Sequence, residues 1–351
     1  MSDSLFQKIT INCVPGRYSA WPDVALAGDG RLVCVFTECE HHTDRSRSQI
    51  MLIDSHDRGS TWSNKRPLTE MSGHLPYYYN CARIVRLPDG RLCITVDRVP
   101  ATGERNGGDA KSQVVLFFSD DHGATWSRPV ELPVRGIVPD KLTVLDTGRY
   151  LITTHYAADA STMTVVTHFS DDGGVTWSPE ITVARKPGMR LCEASLLPLG
   201  NGVIAAFMRE NSMQGLDCQK ALSFDNGQTW GEVTPFPLPG CHRPVAGLLK
   251  DGRLMVTYRF AHGAGDFGMF TQNFFCAVAD RENVLKTSRS EIHVRIIPVD
   301  YDRSAKSDTG YSGWVEFEDG EMFIVNYIVD DARDHGQIRG YRFNLKQLIL
   351  S

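Results

Sequence analysis

Apolar runs broken by a glycine-centred tight turn recur six times along the chain: WPDVALAGDGRLVCVFTE, ARIVRLPDGRLCITVDR, DKLTVLDTGRYLITTHY, EASLLPLGNGVIAAFMR, RPVAGLLKDGRLMVTYR and YSGWVEFEDGEMFIVNY. Asp-Gly or Asn-Gly stands at most of these turns, between β-branched, aliphatic and aromatic residues. Each run therefore reads as a β-hairpin, because glycine takes the positive φ that such turns require. The turn glycines are Gly30, Gly90, Gly148, Gly202, Gly252 and Gly320, at intervals of 60, 58, 54, 50 and 68 residues. Each interval holds four short strands, which is one propeller blade.

A second repeat is interleaved with the first. SHDRGSTW (Ser55 to Trp62), SDDHGATW (Ser119 to Trp126), SDDGGVTW (Ser170 to Trp177) and SFDNGQTW (Ser223 to Trp230) share the form S-x-D-x-G-x-T-W. The Asp can accept backbone N–H groups within the turn, the Gly permits the tight backbone, and the Trp is placed to pack between sheets. The two repeats together predict an all-β, six-bladed β-propeller spanning residues 1–351 as one domain. The fifth and sixth repeats lack the second motif. The ring is expected to close by pairing a strand over Lys8 to Val14 with the last strands, and helix is expected only as about one turn near the C-terminus.

All blades of a propeller line one central mouth, so hairpin register identifies residues that meet there. Seven to nine residues before the turn glycines stand Asp23, Arg83, Lys141, Glu193, Arg243 and Tyr311. Seven or eight residues after them stand Glu38, Arg98, His155, Arg209, Arg259 and Tyr327. An antiparallel return brings both sets to the same end of a blade. The excess of Arg over Lys suits bidentate binding of carboxylate or sugar hydroxyls. His262 is a further candidate contact, and Tyr77, Tyr78 and Tyr79 could stack on a sugar face.

Composition narrows the partners. A formal charge of -5 and a pI near 6.1 give no reason to expect nucleic acid or an anionic membrane surface. No stretch approaches about 18 uncharged apolar residues, so no bilayer span is predicted. The start MSDSLFQKITINC lacks a signal-peptide pattern, and the nine scattered cysteines include no C-x-x-C. The expectation is a reduced, cytoplasmic protein with no metal and no cofactor. The adjacent His41 and His42 have no further spaced ligand, and phosphate-binding and Ser-His-Asp signatures are missing.

The S-x-D-x-G-x-T-W turns are Asp boxes, and over all six blades the chain resembles the sialidase (neuraminidase) superfamily. The resemblance implies a glycosidase site. Glu193 and Arg209 look like the family's glutamate and second carboxylate-binding arginine, Arg243 like the third arginine, and Tyr311 like the nucleophilic tyrosine of the last blade. Asp44, in the loop after the first hairpin, stands roughly where the family carries its acid catalyst. The chain departs from the pattern at the start of the first blade. There the family's R-I-P, whose Arg completes the triad, is replaced by Ala20-Trp21-Pro22, and Arg83 or Arg98 would have to substitute. The implied function is cleavage of a terminal acidic sugar. The alternatives are a hydrolase or lyase for a non-sialic carbohydrate, and a non-catalytic propeller that binds glycans or proteins. Oligomeric state is not readable.

Overall fold

All six turn glycines lie at φ between 80° and 91°, each joining two antiparallel strands. A computed structural model of the protein describes residues 5–101, 111–262, 271–332 and 334–348. Strand β1 (Gln7–Asn12) comes first. The first blade is β2 (Tyr18–Leu26), β3 (Leu32–Cys39), β4 (Gln49–Ser55) and β5 (Arg66–Pro67). The second is β6 (Tyr77–Arg86), β7 (Leu92–Pro100), β8 (Gln113–Ser119) and β9 (Val130–Arg135). The third is β10 (Thr143–Val144), β11 (Tyr150–Ala157), β12 (Met163–Ser170) and β13 (Ile181–Arg185). The fourth is β14 (Leu191–Gly200), β15 (Val203–Glu210), β16 (Asp217–Ser223) and β17 (Thr234–Pro239). The fifth is β18 (Cys241–Leu248), β19 (Leu254–His262), β20 (Thr271–Ala279) and β21 (Arg295–Tyr301). The sixth is β22 (Thr309–Glu316), β23 (Glu321–Ile328) and β24 (Gln337–Asn344), with β1 as its outer strand.

The ring closes as the sequence predicts, by antiparallel pairing of β1 with β24. A buried carboxylate braces that seam: Asp300 accepts from Arg339 and from the Tyr341 hydroxyl, both at 2.8 Å, and from Lys8. One helical turn, Leu345–Leu348, follows.

The Asp boxes fold as self-contained turns after the third strand of blades one to four. Ser55 donates to Asp57 at 2.8 Å and accepts the Gly59 N–H at 2.7 Å. Asp57 accepts the Thr61 N–H at 2.8 Å and the Thr61 hydroxyl at 2.6 Å, and the Trp62 indole N–H reaches the Gly59 carbonyl at 3.1 Å. Each box tryptophan packs against the preceding blade. Trp62 lies 5.8 Å from the Phe323 ring of blade six, and Trp126 covers apolar residues shared by blades one and two. Blade five has no box, and its junction with blade four is closed differently. The buried Lys220 ammonium donates to the Val284 and Lys286 carbonyls around the short turn Arg281–Val284.

Close approach explains the glycine of the first box. At Gly59, with φ of 84°, a β-carbon would stand 2.3 Å from the Phe323 ring. Gly59→Ala is expected to cost about 2 kcal/mol or more through steric overlap and backbone strain. Urea unfolding measures this, and a loss under about 0.5 kcal/mol, the size of an ordinary surface substitution, contradicts it.

Candidate active site

Five of the six inner strands carry a bulge at one repeat-equivalent place. Pairing jumps from Ala20 to Asp23, Asn80 to Arg83, Cys192 to Ser195, His242 to Val245 and Gly310 to Gly313. The first residue inside each jump is Trp21, Cys81, Glu193, Arg243 or Tyr311, with φ between 46° and 60°. Each stands nine residues before its turn glycine. Left-handed backbone costs a non-glycine residue about 1 kcal/mol or more, and a bulge re-aims the side chain it carries. In blade three the ninth residue is Pro139. Its ring fixes φ near -65°, so the bulge cannot form, and the inner strand shrinks to the two residues of β10.

These side chains meet across the axis. The Tyr311 hydroxyl of blade six donates to Glu193 Oε1 of blade four, 118 positions away in sequence. Arg209, on the returning strand of blade four, donates to Glu193 Oε2 at 2.9 Å and also to Asn211. The Glu193 N–H donates to Nδ1 of His155 from blade three at 3.3 Å. Two guanidiniums from blade five flank the tyrosine, Arg259 at 5.1 Å and Arg243 at 5.7 Å from its ring centre. Arg259 donates to the Tyr327 hydroxyl at 2.7 Å, and Tyr327 donates onward to Asp308 at 2.7 Å. Asp308 is also bound by Tyr18 and His42.

The charges follow from this packing. Burial alone would raise the Glu193 carboxyl, but the Arg209 charge and the Tyr311 hydrogen bond hold it well below the ordinary range. Burial and the adjacent Glu193 charge push the Tyr311 phenol well up. The resting state is thus an ionised carboxylate accepting from a neutral phenol. Burial, with the Arg209 and Arg243 charges, pulls His155 down to about 4. A neutral ring is what the Glu193 N–H needs in an acceptor. The unfolded chain therefore takes up a proton at His155 below its ordinary 6.5 that the fold refuses until about 4, so stability should fall with pH across that window. His155→Gln, which keeps an acceptor, is expected to flatten this part of a urea-midpoint titration, and an unchanged slope would assign the loss elsewhere.

The stretch 79–300 matches the BNR repeat-like domain, well over half of the 351 residues. The chain belongs to the BNR repeat-like family. This BNR repeat-like protein superimposes on a protein of unknown function from Dyadobacter fermentans with a TM-score of 0.78 and 18% identity, over 95% of this chain and 97% of that one. A Hadza microbial sialidase aligns with a TM-score of 0.70 and 15% identity, over 95% of this chain and 66% of that one. Trypanosoma rangeli sialidase in complex with sialic acid aligns with a TM-score of 0.68 and 17% identity, over 94% of this chain and 55% of that one. The chain thus spans between about half and two thirds of those two sialidases. The shared feature is the sialidase-like six-bladed propeller. No curated protein matches the chain.

Among the expected site residues of this BNR repeat-like protein, Tyr311, Glu193, Arg209, Arg243, Arg259 and His155 converge at the axis. Asp23, Arg83 and Lys141 of blades one to three meet in a separate buried cluster, with Arg83 Nε 3.4 Å and Lys141 Nζ 3.6 Å from Asp23 Oδ2, while Glu38 and Arg98 pair elsewhere. Asp23 and Arg83 stand seven rather than nine residues before their glycines, two places past the bulge. Arg83 is fully buried, donating to the Pro22 and Ser312 carbonyls at 2.9 and 2.6 Å. Asp23 accepts the Val24 and Ile84 N–H groups. Both brace the ring by joining blades one, two and six. Glu38 and Arg98 stand eight residues after their glycines where the axial residues stand seven after, and a one-residue slip turns a strand side chain to the other face. Glu38 pairs with Lys65 and Arg17. Arg98 pairs with Glu131 at 2.6 Å and lies over the Tyr77 ring. In register, Asp97 is the fully buried carboxyl of blade two. Asp44 is exposed, and hydrogen bonds from Ser46 hold its carboxyl below the ordinary range. The side chain of His262 lies outside the described residues.

Counting back nine from each glycine would also have found Trp21 and Cys81. His42, Arg45 and Asp308 come from segments outside the hairpins and carry no repeat signal. Arg45 lies with its guanidinium 3.6 Å from the Trp21 ring centre, and His42 meets the same ring edge-on at 5.2 Å.

Proposed function

We propose that this chain is a sialidase-like glycoside hydrolase that removes a terminal, acidic sugar at the central mouth of the propeller. The observation that carries the reading is the Tyr311 hydroxyl donating to Glu193, with Arg209 on the second carboxylate oxygen. A phenol bound to a buried base has a direct use in covalent catalysis. A neutral nucleophile also avoids repulsion from an anionic substrate, and tyrosine is a known variant of the two-carboxylate glycosidase scheme. In the proposed step the Tyr311 oxygen bonds to the anomeric carbon, its proton passes to Glu193, and the glycosidic bond breaks with the electron pair leaving on the departing oxygen. Asp44 is the proposed donor of a proton to that oxygen. Its hydrogen bonds from Ser46 favour the ionised form, so donation requires the bound sugar to displace them. Water then attacks the tyrosyl glycoside and gives up its proton to the ionised Asp44, the bond to the Tyr311 oxygen breaks, and Glu193 returns its proton to Tyr311.

A second reading, a hydrolase or lyase for a non-sialic carbohydrate, is favoured by Trp21 at the axial place of blade one. Trp21 is 2% exposed and carries no charge, so blade one offers no carboxylate-binding group at that place. A panel of aryl glycosides, comprising a sialoside, glucuronide and neutral hexosides, separates the readings. Release from the sialoside supports the first and release only from another member the second. Release from none sinks both and leaves a glycan-binding propeller.

A further inference from the structure

Asp308 stands three residues ahead of Tyr311, and the chemistry proposed above gives it no task. Its side chain is 15% exposed. Three hydrogen bonds converge on its carboxylate from separate parts of the ring: from the Tyr18 hydroxyl at the start of β2, from His42 Nδ1 in the loop after β3, and from the Tyr327 hydroxyl of β23 at 2.7 Å. The backbone that carries it is pinned from behind. Asp302 accepts the Asp308 N–H at 2.9 Å and the Val329 and Asp330 N–H groups at 3.3 and 3.1 Å.

What lies beyond Tyr327 gives this cluster a use. Arg259 Nη2 donates to the Tyr327 hydroxyl at 2.7 Å and stands 3.5 Å from Asp308 Oδ1. Arg259 Nε donates to the Thr309 carbonyl. At Gly310, with φ of 103°, a β-carbon would stand 2.5 Å from the β-carbon of Arg259, so the arginine packs directly on the backbone next to Tyr311. Arg259 is thereby held on three sides, with its charge 5.1 Å from the Tyr311 ring centre. A cation fixed beside a phenol favours the phenolate, and charge that is already in place needs no reorganisation during the reaction. In the proposed reaction that character develops on Tyr311 as the glycosyl bond to its oxygen breaks.

We infer that Asp308 is a positioning residue of this site: through the Tyr327 hydroxyl it holds Arg259 where its charge steadies the Tyr311 oxygen as the glycosyl-enzyme breaks down. Tyr18 and His42 hold Asp308 in turn. The inference rests on the hydrolase reading of the same site.

The test is a double-mutant cycle on the full chain, with the 4-nitrophenyl glycoside of whichever sugar wild type releases from the panel above. Asp308→Ala and Tyr327→Phe should each lower kcat by about tenfold, the rate equivalent of a hydrogen bond to a charged group. Each should also turn the progress curve into a burst, the mark of a covalent intermediate that accumulates. The double variant should be no slower than the slower single, because both changes remove one link. Asp308→Asn, which keeps an acceptor for Tyr327, should recover part of the rate. Tyr18→Phe removes a donor that does not lead to Arg259, and its kcat should stay within about twofold of wild type. If Asp308→Ala does not fold, the same cycle is run with Asp308→Asn. Losses that multiply in the double variant overturn the inference, as does wild-type kcat in both singles, and either result leaves the hydrolase reading standing. A wild type that cleaves no member of the panel removes that reading and this inference with it.

Discussion

Tyr311→Phe is expected to lower kcat on an acidic aryl glycoside by about a thousandfold or more, with KM within a few-fold of wild type. The substitution removes one oxygen and leaves the ring between Arg243 and Arg259, 6.4 Å from Tyr327. Ground-state binding should therefore persist while the bond-forming atom is gone, and a loss confined to kcat marks an interaction made in the transition state. Glu193 keeps Arg209 and its backbone contact to His155, so the fold should be little disturbed. Turnover within tenfold of wild type removes the nucleophile assignment. Tyr327→Phe is the matched control. Its hydroxyl links Arg259 to Asp308 rather than to Glu193, and its loss should be far smaller.

The largest expected effect on stability comes from Arg209→Met. Removing the guanidinium strands the Glu193 carboxylate in a buried site, and breaking a buried pair by deleting one partner costs about 3–5 kcal/mol. A carboxyl held low in the fold contributes stability above its unfolded range, and that contribution is lost as pH falls through the folded value. Without Arg209, burial dominates and the carboxyl rises, so Glu193 takes up a proton at a milder pH. The deficit of the variant should accordingly be largest near neutrality and shrink on acidification. Urea unfolding at two pH values measures this. Adding Glu193→Leu to Arg209→Met should recover much of the loss at neutral pH, because replacing both partners removes the unpaired charge. A double variant no more stable than Arg209→Met contradicts the account.

The ring was legible because its signals are local. A turn glycine with apolar flanks and an Asp box closing on itself each fix a piece of backbone within about ten residues. The axial residues of blades four, five and six were legible for a related reason: Glu193, Arg243 and Tyr311 carry chemistry and stand at the right count from their glycines. Blades one and two misled because charge was followed where register should have been. Asp23 and Arg83 look functional, yet the bulge turns Trp21 and Cys81 to the axis instead. A bulge inserts one residue and so shifts which positions face the axis, and following charge back from the turn glycine lands on the wrong residue. Glu38 and Arg98 failed by a single place, which in a strand is a full reversal of face. His42, Arg45 and Asp308 reach the mouth through long-range packing on Trp21 and Tyr18, and no pattern in the flanking sequence predicts such contacts.

Covalent labelling tests the central claim most directly, the claim being that the propeller axis joins Tyr311 and Glu193 into a nucleophile and its base. The protein is incubated with a fluorinated acidic glycosyl fluoride, whose glycosyl-enzyme intermediate turns over slowly, then digested and mapped by mass spectrometry. The account predicts one glycosyl adduct on the Tyr311 oxygen, formed more slowly in Glu193→Gln and missing in Tyr311→Phe. An adduct on any other residue, or one that persists in Tyr311→Phe, contradicts it.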